Sequence, residues 1–304
     1  MKLRIGTRRS KLAMTQADEV ARLLADRTAA DTEIVGIATD DAAIEDKARF
    51  TNALEAALLS GDIDIAVHSA KDVPAILADG TELAAVPPRA QARDVFVFGP
   101  RLAGLDCRSV ADLPEGAVVG TSSVRRRSQL LAIRPDIEVV ALRGNVDSRI
   151  EAANRGELDA IVLGHAGLQR LGRDDEIAFV ADPRDMLPAA GQGALLVQTL
   201  ETNDPARAAC ATIDDIPSRM SLLAERAVVI SLGADCDTPV AAYAVVAGDT
   251  MTISGWAGSP DGDRWVKDTV IVAAGNPEGA GGQLARRMNA AGAAAILRDV
   301  RLTR

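Results

Sequence analysis

From the N-terminus to about residue 200, short apolar runs alternate with amphipathic stretches. The short runs predict buried strands, and stretches with apolar residues three and four apart predict helices. Their regular alternation predicts mainly parallel sheets. The first strand spans 3–6, and the turn Thr7-Arg8-Arg9-Ser10 opens a helix, capped by Ser10, that runs to about residue 24. A helix over 50–60 ends at Gly61, and a strand follows through Ile63, Ile65 and Val67. Residues 116–120 form another strand. Thr121, Ser122 or Ser123 caps a helix over 124–133 that stops before Pro135. A strand over 137–142, the turn Arg143-Gly144-Asn145 and an Asn145-capped helix over 146–155 come next. The glycine turn at 187–193 then enters a strand that returns the chain to its first lobe.

The pattern changes after Pro205. Helices over 206–213 and 218–231, the second capped by Ser218, precede three runs at 240–247, 251–258 and 265–273. Those runs alternate apolar and polar positions like an antiparallel sheet, and a helix near 283–291 follows. Two echoes divide the rest. GTRRSKL near the start returns as GTSSVRRRSQL at 120–130, and the strand at 61–68 has a counterpart at 156–165, each after a helix ending at glycine. Matches in the same order predict two lobes of similar build, with the chain segments 1–87 and 194–211 in the first and 93–187 in the second. Residues 216–304 are expected to form a small α+β domain. The fold class is therefore α/β, with two lobes like those of periplasmic binding proteins, facing each other across a cleft, plus the C-terminal domain.

Charge sharpens this picture. The chain carries a net charge of −9, yet residues 120–149 hold six arginines against three acids. A basic island in an acidic protein predicts an anion site, and the guanidinium fork matches carboxylate or phosphate in two-pronged geometry. Two strand-to-helix turns with arginines in their first helical turns aim N–H groups and guanidiniums at one sheet edge. The alternative is a solvated basic helix face. Aromatic residues make up only 2% of the chain, which with its acidity argues against nucleic acid. The N-terminus has no apolar run long enough for a signal peptide or membrane helix, so a cytoplasmic protein without a membrane partner is expected. Three cysteines form no CxxC pair, and two histidines make a histidine-rich metal site a poor reading, so no metal is expected.

Other candidates lie outside the island. Lys71 and Asp72 follow a buried strand, at the end where ligands of α/β proteins bind, and a carboxylate there can move protons or steady a cation; a turn or cap aspartate is the plainer alternative. Residues 40–49 read as a loop over the cleft with Lys47 and Arg49 as lid charges, or as an ordinary surface loop. Gln192 sits between two glycines that allow close approach to a ligand. Cys236 lies on a glycine–proline loop, and its neighbours Asp235 and Asp237 raise rather than lower a thiol pKa. That makes it a poor thiolate nucleophile, although it can bond to a highly electrophilic ligand.

Seven segments together resemble the hydroxymethylbilane synthase, or porphobilinogen deaminase, family: GTRRSKLA near the start, HSAKDVP at 68–74, GTSSVRRRSQL at 120–130, LRGNVDSR at 142–149, AGLQRLG at 166–172, LPAAGQGAL at 187–195 and the loop around Cys236. The resemblance implies a transferase of porphyrin, tetrapyrrole and haem biosynthesis. It joins four porphobilinogen molecules head to tail, with loss of ammonia, on a dipyrromethane cofactor held by a thioether to Cys236. Asp72 would be the catalytic carboxylate. Ser69, Lys71, Thr121, Ser123, Arg125, Arg126, Arg143 and Gly144 would bind the cofactor. Arg8, Ser10, Phe50, Arg149, Arg170 and Gln192 would bind substrate, and Lys47 would serve the lid. The resemblance further implies a monomer that hands its product to uroporphyrinogen-III synthase. A non-catalytic two-lobed anion-binding protein is the competing expectation.

Overall fold

The computed structural model describes residues 2–38, 47–74, 76–235 and 237–302. Cys236 and the side chains of Lys47 and Phe50 lie outside the described residues, as do most of the predicted lid positions. In chain order the first elements are β1 (Lys2–Arg8), α1 (Lys11–Arg27), β2 (Asp31–Ile37), α2 (Lys47–Leu59), β3 (Ile65–Ser69) and β4 (Thr81–Ala85). Then come β5 (Asp94–Phe98), β6 (Val118–Gly120), α3 (Val124–Ile133), β7 (Glu138–Val140), α4 (Val146–Asn154), β8 (Ala160–Gly164), α5 (His165–Arg170) and β9 (Phe179–Val180). The last are β10 (Leu195–Leu200), α6 (Asp204–Ala211), α7 (Ile216–Ser231), β11 (Val240–Ala247), β12 (Thr250–Gly258), β13 (Trp265–Ala273), α8 (Pro277–Ala290) and α9 (Ala293–Leu302).

The chain divides into two compact units. One comprises Met1–Ala90 with Gly193–Leu222, and the other Gln91–Gln192 with Leu223–Arg304. The first unit is built on a five-stranded sheet in the order β2-β1-β3-β10-β4. β1 pairs with β2 and β3 in parallel, and β10 runs antiparallel to both β3 and β4. α1 lays Ala17, Val20 and Leu24 on the buried positions Leu3, Ile5, Ile65 and Val67. The second face of the same sheet packs Ala66 against Leu54 and Leu58 of α2.

The second unit repeats this winding. Its sheet runs β7-β6-β8-β5-β9, with β6 parallel to β7 and β8, and β5 antiparallel to β8 and β9. In both sheets the fourth strand is the one that runs against the others. In the first it is β10, which arrives late in the chain; in the second it is β5, which arrives before its neighbours. The sequence echoes therefore correspond to one architecture built twice. The second unit also carries the antiparallel sheet β11-β12-β13, covered on one side by α8 and α9. The fold is α/β with two similar lobes and a small C-terminal three-stranded domain.

Several boundaries shift for local reasons. α7 starts two residues before the expected cap, because Asp215 Oδ2 accepts from the Ser218 backbone N at 3.0 Å and the Ser218 hydroxyl at 2.6 Å. Pro217 then stands in the first turn, where its missing N–H costs nothing. The glycine-rich segment before residue 283, expected to be a turn, lies inside α8: Asn276 caps it and Pro277 occupies its first position. α9 was not expected at all.

Candidate active site

In the first unit, β1 and β3 are neighbours in parallel, so both deliver their carboxyl ends to one sheet edge. β1 ends at Arg8, and Ser10 caps α1 by accepting from Ala13 N at 3.3 Å. Buried Thr7 ties the strand to the helix by donating to Ala13 O. β3 ends at Ser69, whose hydroxyl lies 2.8 Å and 3.1 Å from the two polar atoms of the Gln16 amide. The next residues, Ala70–Asp72, form a single tight turn, anchored by Ala70 N donating to Ala194 O of the incoming β10 segment. Lys71 and Asp72 are half-buried on this turn. Arg8, Ser10, Ser69, Lys71 and Asp72 thus share one edge.

Behind that edge runs a buried polar chain that the sequence reading missed. The Gln198 amide donates to Glu55 Oε1 at 2.9 Å and Thr81 Oγ1 at 2.7 Å, which leaves its Oε1 to accept from His68 Nε2 at 3.0 Å. This fixes the imidazole as its Nε2–H tautomer. Burial pushes the His68 pKa down to about 4, against the weaker opposing effects of Gln198, Glu55 and Asp72. The ring is therefore neutral at pH 7.

In the second unit three parallel strands reach a common edge. After β6, Thr121 N donates to Val140 O at 2.9 Å, and Ser123 caps α3 by accepting from Arg126 N at 3.4 Å. After β7, Gly144 adopts φ +115°, and its Cβ would lie 2.4 Å from the Ser148 hydroxyl, so glycine is required there. Asn145 caps α4 by accepting from Ser148 N at 2.9 Å, and Arg149 Nε donates to Gly144 O at 2.8 Å. Arg143 is exposed on this turn. After β8 comes α5, which Arg170 ends. The N-termini of α3 and α4, with Thr121, Ser123, Arg143 and Arg149, make an edge rich in donors for anions.

Arg125, Arg126 and Gln192 are placed differently from the outward aim expected of them. Arg125 and Arg126 are 4% and 6% exposed, and both engage Asp94, which is completely buried. Arg125 Nη1 donates to Asp94 Oδ2 at 2.8 Å and to Leu187 O at 2.6 Å. Arg126 Nη2 donates to Asp94 Oδ1 at 2.8 Å and Nη1 to Val162 O at 2.9 Å. The Gln192 amide donates to Asp94 Oδ1 at 2.8 Å and Ala92 O at 2.6 Å. Burial alone would raise the Asp94 carboxyl, but the two guanidiniums outweigh it and hold the pKa well below the usual range. The visible sign in the sequence was an acid directly before the apolar run Val95-Phe96-Val97-Phe98.

The donor set suits a carboxylate-rich cofactor: hydroxyls, cations and helix N-termini gather at the strand ends, and the described cysteines offer no rival anchor. Cys107 and Cys210 are both buried; burial raises both thiols, that of Cys210 to about 12. Such thiols are protonated and shielded.

Fold and strand-edge donors define an α/β protein whose strand ends, in each unit, suit polyanionic small molecules. Comparison with known sequences fixes the family. The porphobilinogen deaminase, dipyromethane cofactor binding domain matches residues 3–208, and the porphobilinogen deaminase, C-terminal domain matches 220–290. Porphobilinogen deaminase of Brevibacillus brevis is 39% identical over 98% of this chain and 97% of its own length. That of Bordetella parapertussis is 42% identical over 98% of this chain and 96% of its own. The chain belongs to the porphobilinogen deaminase family, transferases of tetrapyrrole biosynthesis that carry a dipyrromethane cofactor. Among solved structures, substrate-binding domain 2 of Lactococcus lactis GlnP aligns with TM-score 0.45 at 11% identity, covering 70% of this chain and 86% of its own.

Proposed function

We infer that this chain is a hydroxymethylbilane synthase, condensing four porphobilinogen molecules, with loss of ammonia at each step, into a linear tetrapyrrole. The single observation that carries the reading is the family match across both lobes and the C-terminal domain. It sets aside the non-catalytic anion binder. The dipyrromethane supplies the primer to which new pyrrole units are added.

The chain's own residues divide the work as follows. Cys236 anchors the primer through a thioether; the burial of Cys107 and Cys210 supports this assignment. Ser69, Lys71, Thr121, Ser123, Arg125, Arg126, Arg143 and the Gly144 backbone hold its acetate and propionate groups. Arg8, Ser10, Phe50, Arg149, Arg170 and Gln192 serve the incoming substrate, Gln192 through Asp94, and Lys47 serves the lid. Charge-assisted hydrogen bonds of this kind contribute roughly 1.5–3 kcal/mol each. Asp72 assists departure of ammonia, steadies the cation left on the substrate and takes the proton released when the new carbon–carbon bond forms. Its half-buried turn, whose backbone is pinned to Ala194 through Ala70, supports that role by holding the turn at the strand edge. No helix among the described residues is long and apolar enough to cross a membrane. The protein works as a cytoplasmic monomer and passes its product to uroporphyrinogen-III synthase.

The test combines intact mass with turnover. The purified chain should carry a dipyrromethane mass adduct that maps to Cys236 and should convert porphobilinogen to a linear tetrapyrrole. Asp72→Asn should keep the adduct and lose turnover by a factor of about one hundred or more. A chain that stays bare and inert with porphobilinogen would sink the function; an Asp72→Asn protein at parental rate would sink only the role of Asp72.

A further inference from the structure

α7 stops just short of Cys236 on a turn that glycine makes possible. Gly233 takes φ +61°, its N donates to Ile230 O at 2.9 Å, and Ala234 N donates to Val229 O at 3.0 Å. The last two carbonyls of this turn are met by a residue from the far end of the chain. Arg301 Nη2 of α9 donates to Leu232 O at 3.3 Å and to Gly233 O at 2.5 Å. A cation there also suits the helix dipole. α9 is seated through its buried Ile296, Leu297 and Val300, so the guanidinium is carried by a packed helix. Beyond this anchor the chain is clasped on both sides of position 236. Asp235 N donates to Thr238 Oγ1 at 3.1 Å, the Thr238 hydroxyl donates to Asp235 Oδ1, and Thr238 N donates to Asp235 O at 3.2 Å. Asp235 Oδ1 also accepts from Asp237 N at 3.1 Å. Thr238 is 3% exposed, and after it the chain is tied to the sheet by Gly258 N, which donates to Pro239 O at 3.1 Å.

We propose that Arg301, Asp235 and Thr238 are positioning residues for attachment of the cofactor: Arg301 fixes the root of the loop to α9, and the Asp235–Thr238 clasp presents Cys236 for thioether formation. The proposal rests on the reading that Cys236 carries the dipyrromethane. Attachment breaks the Cys236 S–H bond and the C–N bond of the porphobilinogen aminomethyl group and forms one sulfur–carbon bond. The thiol proton leaves with the amine as ammonia. A thiol held in one orientation meets that carbon more often than one on an open loop, so the clasp acts by removing unproductive orientations. The carboxylate of Asp235 serves here as an acceptor for two donors, not as a charge.

The test follows attachment itself. The full chain, made in cells that lack porphobilinogen, is given porphobilinogen, and its intact mass is recorded over time. A parent chain that gains no pyrrole mass at Cys236 would overturn the reading on which the proposal rests. Thr238→Val keeps the size and removes both hydroxyl bonds; it should load about tenfold more slowly, and Thr238→Ser at the parental rate. Asp235→Ala should load about tenfold more slowly, whereas Asp235→Asn, which keeps the Oδ1 acceptor without the charge, should load no more slowly than the parent. Arg301→Met should load about fivefold more slowly. Arg264→Gln breaks the other tie of α9, to Asp299 at 2.9 Å, and should load at the parental rate. Parental loading of Thr238→Val, or equal slowing of Asp235→Asn and Asp235→Ala, overturns the clasp. Parental loading of Arg301→Met, or equal slowing by Arg264→Gln, overturns the part of Arg301. If Arg301→Met does not fold, the Thr238 and Asp235 variants decide.

Discussion

Two buried ionisable residues, His68 and Asp94, make stability depend on pH in separate windows. The His68 pKa is about 4 in the folded chain against 6.5 for an ordinary histidine. The unfolded chain therefore takes up this proton first as pH falls. The contribution of the neutral ring is complete above pH 6.5 and is lost as pH drops through about 4. That span is worth on the order of 3 kcal/mol. Asp94 is depressed in the carboxylate range, so its contribution is present above the usual carboxylate pKa and is lost only at lower pH. Denaturant unfolding at pH 7, 5.5 and 4 should show a decline that His68→Gln flattens; an equal slope in the variant would rule His68 out as its source. At this scale the sequence was legible where chemistry is local. Lys71 and Asp72 stand beside each other, Ser10 and Asn145 announce their caps, and Ser123 is one of three adjacent candidates for the third. Pairings across the chain were not legible. Asp94 lies 31 residues from Arg125, and Gln198 lies 130 from His68, so no spacing rule joins them.

Among the elements, α7 and α8 approach closely at Gly281, where a Cβ would stand 2.3 Å from Ala224 O and 2.7 Å from Ala227 Cβ. Alanine is the better helix former by about 1 kcal/mol. A clash with helix backbone cannot be relieved by a side-chain rotation, so overpacking of about 1–3 kcal/mol should win. Gly282, one residue on, meets only Arg286 Nη1 at 3.4 Å and Ser231 Oγ at 4.0 Å. Gly281→Ala should lower the thermal midpoint, and Gly282→Ala should leave it equal or raise it. Shifts in the same direction would show that the helix contact does not set the glycine requirement. Element types were readable because periodicity reports burial: α3, β11 and β13 begin and end where their patterns do. α8 was misplaced because its glycines read as a turn, whereas one of them, Gly281, lets α7 approach. The α7 start was misjudged because two residues near it can cap, and Asp215 does so.

At the scale of the whole molecule, the repeated winding means that the first lobe cannot be completed by the chain that begins it. β10 lies between β3 and β4, so Met1–Ala90 alone leaves β4 without a partner and one edge of β3 open. The deficit is also one of packing. Leu195 and Val197 of β10, with Ala206, Ala209 and Cys210 of α6, fill the face on which Leu3, Ile5 and Val67 lie. The ends to be joined are already adjacent, because Ala90 N donates to Gly193 O at 3.3 Å. We therefore propose the first lobe as a folding domain made of two segments. Residues 1–90 joined by a short glycine–serine linker to 193–222 should give a monomeric protein with one cooperative thermal transition by circular dichroism. Residues 1–90 alone should aggregate or melt without a transition, since unpaired strands and an open apolar face remain. Should 1–90 fold cooperatively by itself, β10 would be an accessory to that sheet, and the boundary drawn from the glycine turn at 191–193 would lose its physical basis. The same reasoning explains why two lobes were readable from sequence while their limits were less so. The echoes mark the parallel strands each lobe keeps in order, whereas β10 and β5 enter out of order and echo nothing.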